Sequence, residues 1–210
     1  MKNVVFPLSV VIFGAALLGL SSCQKEEIAP INSTTTASLS SAEVDDLSFL
    51  IQEEKLARDV YIYAYQKHGD EIFNNITTSE QSHMNQVAAL LDKYNVPNPV
   101  IGLAIGQFQN ASLQQLYYDL VAIADSSSIH GFKVGATIED LDIHDIENQY
   151  ANTNNVDLIT TYDRMTCGSR NHMRSFYSQL QVNGVDYVAQ FISQDQLNAI
   201  ISTDKENCNN

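Results

Sequence analysis

Residues 71–94 read EIFNNITTSEQSHMNQVAALLDKY, and the placing of one carboxylate and one imidazole within them decides the fold. Phe73, Ile76, Glu80, His83, Val87 and Leu90 follow one another at steps of three and four. Side chains so spaced share one face of an α-helix. Most of that face is apolar, so it turns toward a core, and Glu80 and His83 sit inside it. An unpaired carboxylate is costly to bury. Either the pair meets a common partner, or each group is satisfied separately.

Three further segments carry the same periodicity. One runs from about Ser41 to His68, with Leu47, Leu50, Glu54, Ala57, Tyr61 and Ala64 on its seam, and Gly69 ends it. Another runs from Ser112 to about Gln149, with a break expected near Ser126-Ser127-Ser128. The last long one runs from about Val156 to Leu180 along Leu158, Tyr162, Met165, Ser169, His172 and Phe176. A turn is expected at Asn183-Gly184, and a short final helix over Gln194 to Ile201. Pro97 and Pro99 follow the second segment, and no proline comes later, so long helices run uninterrupted. Residues 100–111 read as a loop long enough to help a crossover. Strand alternation and internal repeats are absent from the sequence. The expected fold is all-α: an antiparallel four-helix bundle with a short extra C-terminal helix.

The 210 residues suit one domain plus a targeting segment, and 44% hydrophobic residues support a sizeable core. The formal net charge is -14, with no cluster of Lys or Arg. Phosphate backbones are repelled by such a chain, which argues against a nucleic-acid partner. An acidic surface instead concentrates cations.

The N-terminus stands apart. Lys2 precedes an apolar run from Val4 to Leu20, which ends in Leu20-Ser21-Ser22-Cys23. This resembles a bacterial lipobox, in which the Cys is lipidated and becomes the new N-terminus; an uncleaved membrane anchor is the other reading. Residues 1–22 are then a lipoprotein signal peptide and 23–41 a Ser/Thr-rich tether. Gln24-Lys25-Glu26-Glu27 resembles the surface-export tag of Bacteroidetes lipoproteins. The expectation is an exported lipoprotein of the outer membrane or cell surface, anchored at Cys23. Residues 42–202 form the bundle domain and 203–210 a polar tail. Cys167 and Cys208 are free to pair, though their spacing is not diagnostic. There is no Cys-x-x-Cys, hence no rubredoxin-type iron centre.

Glu54 and His172 also occupy interior seams. Each polar residue alone has an ordinary explanation. Glu80 fits a capping box with Thr77. Glu54 fits an i, i+4 pair with Arg58. His83 fits a satisfied core histidine, and His172 a cap or carbonyl partner. Together they need four unrelated explanations, whereas one divalent metal serves them all. In the third stretch Glu139 and Asp142 share a face, while Asp140 and His144 lie on another; acid-rich helices are often only solvated.

Glu54-x-x-Ala57-Arg58-x-x-Tyr61 followed by Glu80-x-x-His83 resembles the first half of a rubrerythrin-type ferritin-like domain. Glu139-x-x-Asp142 resembles the Glu-x-x-Glu of its third helix. EEKLARDVY, SEQSHM and GSRNHMRSF also resemble a smaller ferritin-like family of unknown function, over about residues 43–201. The resemblance implies carboxylate ligands at Glu54, Glu80 and Glu139, imidazoles at His83 and His172, and Asp142 as an additional, shorter carboxylate. Glu80 would bridge two metals, iron or manganese. One departure matters: the last helix reads Ser169-Arg170-Asn171-His172, with Ser169 where the second bridging Glu belongs. That leaves one or two ions open. Arg170 is expected to pair with an acid, and Tyr61 and Tyr162 to lie near the site. The implied activity is of ferroxidase or peroxidase type. The alternative is non-catalytic metal binding or a metal-free interaction module at the cell surface. Relatives of this kind often dimerise, so a homodimer is a further expectation.

Overall fold

Ser40 accepts a hydrogen bond from the Glu43 amide through its hydroxyl, and the Glu43 carboxylate accepts one from the Ser40 amide. This reciprocal cap starts α1, Ser41–His68. Gly69, at φ 77°, ends it in the left-handed conformation that glycine adopts without penalty. Asp70 then opens α2, Glu71–Lys93, so the chain turns back within two residues. The computed structural model describes residues 38–208; the expected signal peptide, Cys23 and most of the expected tether lie outside them.

Four more helices follow, each entered through a side-chain cap. Asn110 caps α3, Ala111–Ala124, and Ser127 caps α4, Ser128–Gln149. After a 3-10 turn at Tyr150–Asn152, Asn155 caps α5, Val156–Val182. Ser193 caps α6, Gln194–Ile201. The expected break in the third stretch is real: Asp125 to Ser127 divide it into two helices. The described residues contain six helices and no strand. None of these helices is long and apolar enough to cross a membrane.

α1 lies along α2, and α4 along α5; α1 also meets α4, and α2 meets α5. α3 covers α1 and α4, and α6 packs on α5. Two apolar clusters result. One holds Tyr61, Phe73, Phe132 and Phe176. The other holds Leu47, Leu50, Val87, Ile146, Leu158, Tyr162 and Met165. A Cβ on Gly135 would lie 2.5 Å from the Phe176 ring, so glycine there lets that ring reach Tyr61, centroid to centroid 5.3 Å. Burying each such ring stabilises the fold by about 1.5–3 kcal/mol. Along α1, α2 and α5 the residues pass from one cluster to the other. Glu54, Glu80, His83 and Ser169 stand at the crossing.

Two peripheral segments are fastened. Lys55, 1% exposed, donates to Asp59 Oδ2 at 2.5 Å and to the Ala104 carbonyl at 2.8 Å, while Asp59 accepts from the Gly106 amide at 2.8 Å. These bonds hold the 94–110 segment against α1. The described residues of the polar tail are fastened to α5. Cys208 is disulfide-bonded to Cys167 of α5, and Glu206 takes a forked pair from Arg170. Arg174 adds a further bond to Glu206.

Candidate metal centre

Helix α1 supplies Glu54, α2 supplies Glu80 and His83, α4 supplies Glu139, and α5 supplies His172. They fall into two groups of three: Glu54, Glu80 and His83, and then Glu80, Glu139 and His172. Within each group the ligand atoms lie within 4.8 Å of one another. Glu80 belongs to both. Its Oε2 is 3.0 Å from His83 Nδ1, and its Oε1 is 2.9 Å from His172 Nδ1. Glu54 Oε2 is 3.1 Å from His83 Nδ1, and Glu139 Oε2 is 3.4 Å from His172 Nδ1. The three glutamates are 0–1% exposed, and His83 and His172 are 6% and 8% exposed.

The unpartnered atoms show what the residues fit. Glu54 Oε1, Glu80 Oε1 and His172 Nδ1 are buried without a hydrogen-bond partner. Glu80 Oε1 and His172 Nδ1 face each other at 2.9 Å without completing a hydrogen bond, a gap that either a proton or a cation would serve. Each such atom costs about 1–3 kcal/mol. A shared divalent cation offsets that cost, and a set of carboxylates and imidazoles suits iron or manganese. His172 Nε2 lies 3.0 Å from Ser79 Oγ, an outer partner that fixes Nδ1 as the inward atom.

The separate explanations for Glu54 and Glu80 fail, whereas His83 does find a buried partner in Glu54. Arg58 bonds Asp59 and Gln81 instead of Glu54. Thr77 is internal to α2, so it forms no capping box with Glu80. Arg170 pairs with Glu206, away from the site acids. Among the seam tyrosines, Tyr61 donates to Glu139 Oε1 at 2.6 Å. Tyr162 does not join the site. It packs edge-on against Tyr150 in the other cluster, and the acids bearing on it are Asp46 and Glu43.

Asp142 is buried beside the site, outside both groups. Ser169 Oγ, fully buried, lies 2.9 Å from Asp142 Oδ2 and 3.1 Å from the Met165 carbonyl. The acid of α4 thus reaches the place where α5 carries only a hydroxyl. Asp140 is no solvated acid: it accepts from the Tyr187 hydroxyl and from the amides of Gln190, Phe191 and Ile192, anchoring the segment before α6.

Burial pushes the Glu54 carboxyl up to about 8, with His83 opposing and Glu80 reinforcing. Burial, then Glu54, Glu139 and Glu80, hold Asp142 well above the usual range. Glu139 is raised chiefly by burial, against the pull of His172. Glu80 is lowered: burial opposes, but His172 and His83 outweigh it. Burial would lower His172, yet Glu80 and Glu139 lift it to about 10. His83 is raised likewise by Glu54 and Glu80, which overcome its burial. Without a cation, protons take its place in this cluster.

One buried acid escaped the seam pattern. Glu53 Oε2 has no hydrogen-bond partner, and burial, Asp142 and Asp145 push the carboxyl well up. A cavity of about 40 Å³ touches Glu53, Leu56, Leu113, Leu120 and Asp142 beneath α3. A reading built on four seams leaves that face of α1 in solvent. The apolar Leu113 and Leu120 in the third stretch were the available signal.

The chain belongs to the family described as an uncharacterized protein domain (DUF2202), which matches residues 43–204, from the first turn of α1 past the end of α6. It is similar to the uncharacterized protein MJ0754 of Methanocaldococcus jannaschii, 45% identical over 176 residues, or 84% of this chain and 95% of that protein. The crystal structure of hypothetical protein MJ0754 matches with a TM-score of 0.80 at 45% identity, over 83% of this chain and 99% of that one.

Proposed function

We propose that the chain is an exported, lipid-anchored protein in which α1, α2, α4 and α5 form a ferritin-like four-helix bundle holding one or two iron or manganese ions. One observation carries the metal reading. A single buried carboxylate, Glu80, faces imidazoles on both sides, and inward atoms of Glu54, Glu80 and His172 lack hydrogen-bond partners. Glu54, Glu80 and His83 would hold one ion, and Glu80, Glu139 and His172 the other. Asp142 is the additional carboxylate in reserve.

Bound iron or manganese would supply one-electron redox chemistry of the ferroxidase or peroxidase type. Tyr61 keeps its proton on the bond to Glu139; burial foremost, then the Glu139 charge, raises it well above its ordinary range. The lipobox-like Leu20-Ser21-Ser22-Cys23 supports anchoring through Cys23 and an outer-membrane or surface location. A disulfide suits an oxidising compartment.

Anaerobic iron(II) loading of chelator-treated protein, followed by peroxide, tests the redox reading. Iron(II) oxidation should be faster than in Glu80→Ala, which abolishes the acceleration. Equal rates, with iron still bound by the wild type, would overturn it in favour of non-catalytic metal binding. The serine at position 169, in place of an acid, is the observation favouring that second reading.

A further inference from the structure

A cleft of about 500 Å³ opens beside the two imidazoles, lined by α2, α5 and Cys208. His83, Arg164, Gly168 and His172 are part of its wall. The chain carries 25 Asp and Glu against 11 Lys and Arg, yet no carboxylate lines this cleft. A passage for cations would present acids at its mouth. This one presents a guanidinium.

Arg164 sets the cleft apart. Helix α5 carries three arginines, and Glu206 neutralises two of them, Arg170 and Arg174. Arg164 is exposed and makes no hydrogen bond or ion pair among the described residues. Gly168 adds a second feature. A Cβ there would lie 2.6 Å from His83 Nε2, so the glycine keeps that nitrogen uncovered toward the cleft while Nδ1 faces Glu54 and Glu80. The Ser82 hydroxyl and the Gln86 amide complete a wall of donors.

We infer that this cleft binds a small oxyanion of the carboxylate or phosphate type, held by Arg164 with the Nε2 side of His83 behind it. The planar fork of a guanidinium matches both anions. The inference goes beyond the metal reading and stands on the cleft alone.

Calorimetric titration of inorganic phosphate, and separately of acetate, into chelator-treated protein tests it. Failure of the metal reading leaves this measurement unchanged. Saturable binding at one site is expected, weakened roughly tenfold in Arg164→Gln. Lys133→Gln removes the same charge from an exposed position outside the cleft and should leave the affinity unaltered. Tighter binding of phosphate or of acetate names the preferred class, and either supports the site. No saturable binding, or equal weakening by both substitutions, overturns it.

Discussion

Glu80 Oε1 stands 2.9 Å from His172 Nδ1 across α2 and α5, and neither atom completes a hydrogen bond. The other oxygen of the same carboxylate meets His83. One side chain therefore joins two three-residue groups that otherwise share nothing.

The two groups should fail separately. Glu54→Gln removes a ligand from the His83 group only, and Glu139→Gln from the His172 group only. Where the wild type binds two manganese(II) ions, titration should show each variant losing one binding step and keeping the other. Loss of all binding in either variant would contradict two groups hinged on Glu80.

Stability should depend on pH in a definite direction. The folded chelated protein binds extra protons at Glu54, between its ordinary 4.5 and about 8, and at His172, between 6.5 and about 10. The His172 contribution is complete below 6.5 and lost as pH rises through 10. A carboxyl raised to about 8 likewise disfavours folding as pH climbs above 4.5. Glu80 is lowered, so its contribution is present above 4.5 and lost in more acid solution. The melting temperature of chelated protein should therefore fall between pH 6 and pH 9. Manganese should flatten that slope and release protons on binding. A melting temperature rising over this interval would contradict the assignment.

Gly168→Ala sets two effects against each other. Helix propensity alone favours alanine by up to about 1 kcal/mol. The new Cβ, however, would lie 2.6 Å from His83 Cε1 and Nε2, and two carboxylates hold that ring. Displacement of the ring should win, costing about 1–3 kcal/mol. Chemical denaturation should show the loss, and metal titration should weaken at the His83 group alone. A stabilised variant would show that the ring yields freely.

Reduction should loosen the C-terminal end. The Cys167–Cys208 bond spans 41 residues, for which loop closure contributes up to about 4 kcal/mol. Reductant, or Cys208→Ser, should lower the melting temperature by roughly 10 °C. An unchanged melting temperature would mean that the Glu206 ion pairs alone hold the tail.

The helices were legible because their punctuation is local. Gly69 and the Ser126-Ser127-Ser128 break mark ends by backbone chemistry that needs no tertiary context, and the structure adds local caps at Ser40, Asn155 and Ser193. The site was legible because Glu54, Glu80, His83 and His172 interrupt seams that must be buried. Glu53, Lys55 and Asp59 were not, because α3 and the 94–110 segment give α1 a second covered face. Tyr162 shares a seam with His172 but lies more than two turns from it, and the apolar cluster claims it. The pairing of Cys167 with Cys208 depends on a tail folding back along α5, which residue spacing does not encode.

Elemental analysis of manganese-loaded, desalted protein tests the central claim most directly, with Glu80→Gln beside the wild type. The account predicts one or two ions per chain in the wild type and none in Glu80→Gln. No ion in the wild type, or an undiminished complement in Glu80→Gln, would contradict it.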